Sequence, residues 1–278
     1  HKIEYLNELL QIKNTWYIFS LNDQAILQDF KLLTNERISE EIPEHVQVIG
    51  KNNIFIEEGA ILSFSMLNAS NGPIYIGENA EIMEGVTVRG PFAMCEHSVL
   101  KMGAKIYGGT TLGPYCKVGG EVNNSVLFGY SSKGHDGFLG NSVLGEWCNL
   151  GADTNNSNLK NNYAEVKLWS YETERFAKTG LQFCGLIMGD HSKCGINTMF
   201  NTGTVIGVST NLFGSNFPRN FVPSFAWGGA AGYTVYQLKK VFEVMEIVMQ
   251  RRGVVFSLQE QRIMESVFEA SEKYRKSF

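Results

Sequence analysis

The sequence is short of several things, and each shortage removes a class of protein. Proline occurs 6 times against 29 glycines, the mark of a chain with many tight backbone corners. There are only five cysteines: Cys95, Cys116, Cys148, Cys184 and Cys194. They are odd in number and form no C-x-x-C pair, so they read as reduced thiols rather than a disulfide framework. Positive charge is not in excess: the formal net charge is -4, which argues against nucleic-acid partners, because these demand a basic face to neutralise phosphates. No apolar run approaches the roughly 18 residues needed to span a membrane, and no secretory signal opens the chain, so no membrane contact and a cytoplasmic location are expected. What is present is a 44% hydrophobic chain, enough for one large domain or two small ones with a real core.

The dominant pattern is a beat of six. Ile76, Ile82, Val88, Met94, Leu100, Ile106, Leu112 and Val118 follow one another at that interval without a break. A glycine often follows the aliphatic residue, and a small or β-branched residue (Ala80, Val86, Ser98, Ala104, Thr110) often sits four places on. Phe138, Leu144 and Leu150 resume the beat after a slip, and Met188, Cys194, Phe200, Ile206 and Leu212 carry it again. Neither the helical period nor strand alternation puts an aliphatic at every sixth position for this long. A hexapeptide solenoid does, because each face of a triangular coil uses six residues and turns its aliphatic inward. The fold class expected is therefore mainly β, a parallel β-helix.

The flanks read differently. His1 to Asn14 suggests a short helical or irregular piece. Trp16, Ile18, Phe19 and Leu21 resemble a buried strand end. Ser20 then stands as a cap before helically spaced Ala25, Ile26, Leu27, Phe30, Leu32 and Leu33. Asn35 to Pro43 is charged and linker-like. Interruptions at Ser131–Gly137 and Leu159–Leu186 are expected to be external loops. After Leu212 the beat gives way to an aromatic, glycine-rich stretch. An apolar helical stripe then runs from Tyr236 to Met249, stopped by Gly253, and a capping box at Ser257 and Glu260 opens a second helix. These divisions give three parts: 1–45 as a tail or linker, 46–213 as the solenoid, and 214–278 as an extension whose two helices cap the open end or pack on a neighbouring subunit.

Five histidines are available for chemistry. His1 and His45 fall in the linker part and are expected to be solvated. His97 and His191 lie at outward repeat positions and read as surface residues. His135 is different: it interrupts the beat, is flanked by Gly134 and by Asp136-Gly137, and has Lys133 two residues away. An exposed imidazole beside a carboxylate is suited to general-base work near neutral pH, worth about 10² to 10⁴ in rate. From spacing alone, a general base and an ordinary loop histidine fit this position equally well.

The repeats together with Lys133-Gly134-His135, Phe138-Leu139-Gly140, Asn149-Leu150-Gly151-Ala152-Asp153-Thr154, Asn158 and the upstream Gly90-Pro91-Phe92-Ala93 resemble the left-handed β-helix acyltransferases. The likeness is greatest to the acetyltransferase part of enzymes that make UDP-N-acetylglucosamine, in their Bacteroidetes-type variant, often labelled a sugar nucleotidyltransferase. It covers about Val46 to Phe213, and Trp16–Leu33 and the aromatic C-terminal region fit that variant. The resemblance implies a left-handed solenoid assembled as a homotrimer, with acetyl-CoA as co-substrate and an amino-sugar phosphate, glucosamine-1-phosphate, as acceptor. His135 would be the general base and Asn158 would orient the amine or the acetyl group. Lys133, Phe138, Asn149 and Arg89 would contact the sugar phosphate, and Gly151, Ala152, Gly195 and Ile196 the coenzyme. No metal ligand is implied in this chain; Mg2+ would belong only to a nucleotidyltransferase half. That half is expected to precede this chain, with the first 45 residues as its tail.

The sequence departs from the family at four places. Met94 and Asn123 stand where the family has a phosphate-binding Arg and a Lys. Phe138 replaces a Tyr, and Ile196 replaces a Ser. Arg89, Lys101, Lys105 or Lys133 are the cations left to hold a phosphate. A second reading is accordingly a solenoid with another acceptor, or one without activity that oligomerises or regulates a nucleotidyltransferase. A third, a zinc enzyme of the hexapeptide carbonic anhydrase type, needs three converging histidines, a pattern that His97, His135 and His191 do not form in sequence.

Overall fold

The computed structural model describes residues 9–276. The part of the His1–Asn14 reading that falls on residues 1–8 lies outside the described residues, and Leu9 to Asn14 carry no regular structure. Among the described residues the main strands form three sheets of six, nine and ten strands, parallel except at the last strand of the third. The first sheet runs from Gln47–Ile49 to Phe138–Gly140, the second from Ile54–Ile56 to Phe221–Val222, and the third from Ile61–Leu62 to the antiparallel strand Gly232–Val235. Each turn of chain visits the sheets in that order, so the body is a three-sided parallel β-helix, as the beat of six requires.

The inward residues account for the beat. In the third sheet they are Leu62, Ile82, Leu100, Val118, Lys133, Leu150, Cys194 and Leu212, stacked at roughly one strand spacing of 4.8 Å. All eight predicted members from Ile76 to Val118 are buried. Each buried aliphatic contributes about 1.5–3 kcal/mol, so the column dominates the stability of the solenoid. The slip after Val118 has a specific cause. The inward series continues through Val122, Leu127, Lys133, Leu139, Leu144, Leu150 and Asn156, but the step from Val118 to Val122 is four residues, two later steps are five, and Lys133 and Asn156 are polar. Leu139, not Phe138, is therefore the inward member, and Phe138 faces out, half-buried.

The three sides are covered unequally. The second sheet lies under α1 (Tyr17–Ser20) and α2 (Asn22–Thr34), and under a hairpin, Lys167–Ser170 with Arg175–Lys178, from the long insertion. Trp16 and Phe19 are buried there against Val143, Ile187 and Val205, together with Val166, Leu168 and Cys184 of the insertion. The stretch read as a strand end is thus helical: residues three apart share one face of a helix, which is how Trp16 and Phe19 reach the sheet together. Ser20 does not cap α2; Leu21 holds that place with no side-chain bond. Asn22 anchors the helix instead, its Nδ2 donating to the Gly109 carbonyl at 2.7 Å and its Oδ1 accepting from Thr111 Oγ1 at 3.0 Å. The supposed linker pairs with an exposed strand edge, since Glu40 N donates to the Ile56 carbonyl and Ser39 Oγ accepts from Ile56 N.

The solenoid continues past Phe213 into one more turn, Phe221–Val222 and Ala226–Gly229, folded back by Gly232–Val235. Tyr233 of this hairpin packs on the last of the core. The end is thus closed by the hairpin rather than by the C-terminal helices. Helices α3 (Leu238–Gln250) and α4 (Leu258–Ala270) pack beside it, Val241, Met245 and Met264 against Phe225. The capping box of Ser257 and Glu260 is present, and Gly253 adopts a left-handed φ of 72° beyond α3. All five cysteines are unpaired.

Candidate functional site

His135 stands on the edge where the third sheet turns into the first. The inward residue just before it is Lys133, 2% exposed, the one cation in an otherwise apolar column. Its ammonium donates to the Gly119 carbonyl at 2.8 Å and to the carbonyl of His135 at 3.0 Å. Burial pushes this lysine down to about 8, and Asp136 and Glu121 oppose the shift. Lys133, expected on the outside against a ligand, is therefore inside and braces the backbone of the His135 turn. The imidazole of His135 is exposed, and no group of the described chain hydrogen-bonds to it. Asp136 does not pair with the ring; its backbone carbonyl accepts from Asp153 N.

The same edge carries Gly151-Ala152 one turn on and Gly195-Ile196 one turn further. The Ala152 carbonyl accepts from Asn197 N, and Thr154 and Thr198 close their turns on the Gly151 and Gly195 carbonyls at 2.7 and 2.8 Å. Gly151 is required by packing: a β-carbon there would lie 2.4 Å from the Gly195 carbonyl carbon. Ile196 is 69% exposed. The edge leading away from His135 thus presents glycine and alanine backbone and the exposed Ile196 side chain.

Phe138 and Asn158 sit on the adjoining face, the first sheet. Here side chains replace the usual ladder. Asn155 Oδ1 accepts from Phe138 N and Asn156 Oδ1 from Gly140 N, both at 2.8 Å, and Asn156 Nδ2 returns to the Gly140 carbonyl at 3.0 Å. Sequence reasoning missed Asn156. An amide at an inward position of the beat was its signal. The Phe138 ring lies over Gly140, beside the Asn158 amide: a β-carbon on Gly140 would meet the ring at 2.5 Å and Asn158 Nδ2 at 2.7 Å. Asn158 Nδ2 donates to Asn141 Oδ1 at 2.8 Å. His135 and Asn158 therefore mark the two edges of one face, with Phe138 between them.

The remaining candidates lie apart. Asn149 is exposed on the third sheet, beside Ser132 and Lys193. Arg89 is on the first sheet, three strands from Phe138–Gly140, roughly 14 Å along the face. It shares a concave groove of about 650 Å3 with Lys105 and Tyr107. Met94 is fully buried in the core, so in this register no side chain at that position reaches a ligand, and the missing Arg there removes no charge from the surface. His97 and His191 belong to the opposite edge, stacked on Tyr115 and Trp147. The histidines thus do not converge, and among the described residues no three His, Cys, Asp or Glu side chains gather as metal ligands. The insertion contributes cover to the second sheet, and both its ends reach this site: Cys184 N donates to the Asn158 carbonyl at 2.9 Å and Gly185 N to the Asn141 carbonyl at 2.8 Å.

No protein-family model matches the chain, and no curated protein matches it. Solved structures with a similar chain path include a mutant of AntD, an N-acyltransferase from Bacillus cereus, in complex with dTDP and coenzyme A. It is 13% identical over 74% of this chain and 90% of that one, with a TM-score of 0.30. A second AntD mutant, in complex with dTDP-4-amino-4,6-dideoxyglucose and coenzyme A, gives 13%, 74%, 91% and 0.30. Arabidopsis UDP-N-acetylglucosamine acyltransferase gives 15%, 84%, 94% and 0.31. At such identities and TM-scores the likeness carries no argument about chemistry, and the site above stands on its own geometry.

Proposed function

We propose that this protein is an acetyl-CoA-dependent N-acetyltransferase whose acceptor is an amino-sugar phosphate, glucosamine-1-phosphate. The observation that carries the reading is the open edge: an exposed imidazole on a braced turn, in line with the glycine and alanine backbone of the same edge and flanked by the Phe138–Asn158 face. The sugar amine attacks the thioester carbonyl carbon, the C–S bond breaks, and His135 takes the proton that the amine nitrogen loses. That proton ends on the departing thiolate, so the products are the amide and free coenzyme A. A thiolate leaves readily, and positioning with deprotonation supplies most of the acceleration.

Phe138 and Asn158 would hold the sugar, with Asn149 reaching it from the third face. Gly151, Ala152, Gly195 and Ile196 would carry the coenzyme. Arg89 and Lys105, which share one groove, are the cations best placed for a phosphate, in place of Lys133. Because Asn149 and Arg89 stand away from His135 within one chain, the reading includes a homotrimer in which neighbouring subunits complete each site. It also includes a preceding Mg2+-dependent nucleotidyltransferase domain and a cytoplasmic location. The test is thiol release from acetyl-CoA with glucosamine-1-phosphate, for wild type and His135→Ala. A loss of at least about 10² supports the general base. Equal rates would remove His135 from the chemistry, and no turnover with any amino-sugar phosphate would remove the reading.

A further inference from the structure

The third edge of the prism, between the first and second sheets, carries a file of asparagines at intervals of seventeen: Asn124, Asn141 and Asn158. Asn124 and Asn141 occupy left-handed corners, with φ of 45° and 49°. The file begins at the N-terminal helices. Asn124 meets the carbonyls of Phe19, in α1, and of Gly109, and carbonyls only accept. Asn124 must therefore turn its Nδ2 to them, at 2.9 and 3.3 Å, which points its Oδ1 to Asn141 Nδ2 at 3.0 Å. Asn141 Oδ1 is then the acceptor for Asn158 Nδ2 at 2.8 Å. Every amide donates toward Phe19, and none can reverse alone.

We infer that this file fixes the polarity of Asn158, so that its Oδ1 is offered to the ligand and selects an N–H donor there. The nitrogen of Asn158 is held by Asn141 and walled by Gly140 and the Phe138 ring, while no donor of the described chain reaches Oδ1. An amine or ammonium brings hydrogens and, once protonated, no lone pair, so it suits a bare carbonyl oxygen. An acetyl carbonyl does not. Asn158 thus binds the acceptor's nitrogen rather than the acyl oxygen, and Asn141 and Asn124 are positioning residues that tie the site to α1. The inference deepens the acetyltransfer reading and rests on it for the identity of the amine.

The variants are chosen to keep the left-handed corners. Asn141→Gly and Asn124→Gly remove one amide each at a φ that glycine accepts freely. Asn141→Asp keeps the acceptor for Asn158 while burying a charge. Asn141→Gly should raise KM for glucosamine-1-phosphate at least tenfold and leave KM for acetyl-CoA within twofold, with a smaller rise in Asn124→Gly. Asn141→Asp should lie nearer wild type in that KM although it folds less stably, an order that a merely structural role would reverse. An unchanged amine KM in Asn141→Gly, or equal rises for both substrates, overturns the inference. If wild type transfers no acetyl group, the acetyltransfer reading fails and the file is read by NMR. One Asn158 side-chain proton should exchange slowly in wild type and rapidly in Asn141→Gly. Equal exchange in the two overturns the inference on its own.

Discussion

Two edges of the same prism are built from the same left-handed corners and filled with opposite materials. On the edge between the second and third sheets, His97, Tyr115, Tyr130, Trp147 and His191 stack ring on ring, Tyr130 and Trp147 at 4.0 Å and 7°. Helix α3 lies over the end of the stack at His191, with Val241, Val244 and Met245 beside it. On the edge between the third and first sheets the corresponding places hold Gly103, Gly120, Gly137, Asp153 and Asn197, and among the described residues no helix packs on them. Each pair of stacked rings adds about 0.5–1.5 kcal/mol beyond its buried area. A histidine on the aromatic edge is therefore a rung of the structure, and one on the bare edge is left to the solvent. The position along the coil, not the residue type, decides which.

The largest expected difference between the edges is in stability. Trp147→Ala, which opens the middle of the stack, should lower the unfolding free energy by about 3–5 kcal/mol, whereas His135→Ala should stay within about 0.5 kcal/mol. Urea denaturation of the two variants checks this, and similar losses would break the contrast.

Lys133 comes next. Its folded value of about 8 lies below the ordinary 10.5, so between these limits the unfolded chain keeps a proton that the folded chain has released. Stability should accordingly rise with pH across that window, by up to about 3 kcal/mol, and Lys133→Met should flatten the rise. Unfolding curves from pH 7.5 to 10.5 measure it. A parallel rise in the variant would assign it to another group.

His191 gives the acid counterpart. Burial, aided by Lys193, lowers it from 6.5 to about 3, and its Nδ1 is buried without a partner. The stability it confers as a neutral ring is present above 6.5 and is lost as pH falls toward 3. By pH 4.5 the loss should be on the order of 2 kcal/mol. His191→Phe keeps the stack and should remove that part of the acid sensitivity, as thermal unfolding at pH 7 and 4.5 would show. The smallest effect concerns the Phe138–Asn158 face: Gly140→Ala should cost about 1 kcal/mol through displacement of the Phe138 ring and, on the proposed function, raise the amine KM severalfold.

Much of the fold was legible because the beat of six is a direct image of inward-facing side chains. It became illegible where the interior turns polar. Lys133 and Asn156 sit at inward positions of the column and silence the hydrophobic signal at the turns that carry the site. His135 could be singled out by its break in the beat. That Lys133 binds its carbonyl from within could not, because the direction of a side chain depends on the phase of the coil. The asparagine file left a trace, three asparagines seventeen apart, but a spacing acquires meaning only when the length of one turn is known. The helical form of Trp16–Ser20 was hidden for a similar reason: a short apolar run takes its conformation from the sheet it covers.

Three single-histidine variants compared side by side separate the two edges most directly. Thiol release from acetyl-CoA with glucosamine-1-phosphate would be followed for His97→Ala, His135→Ala and His191→Phe, each corrected for its folded fraction. A loss of at least about 10² is expected for His135→Ala alone, with the other two within a few-fold of wild type. Full activity in His135→Ala, or an equal loss in all three, would contradict the division of the prism into a structural edge and a chemical one.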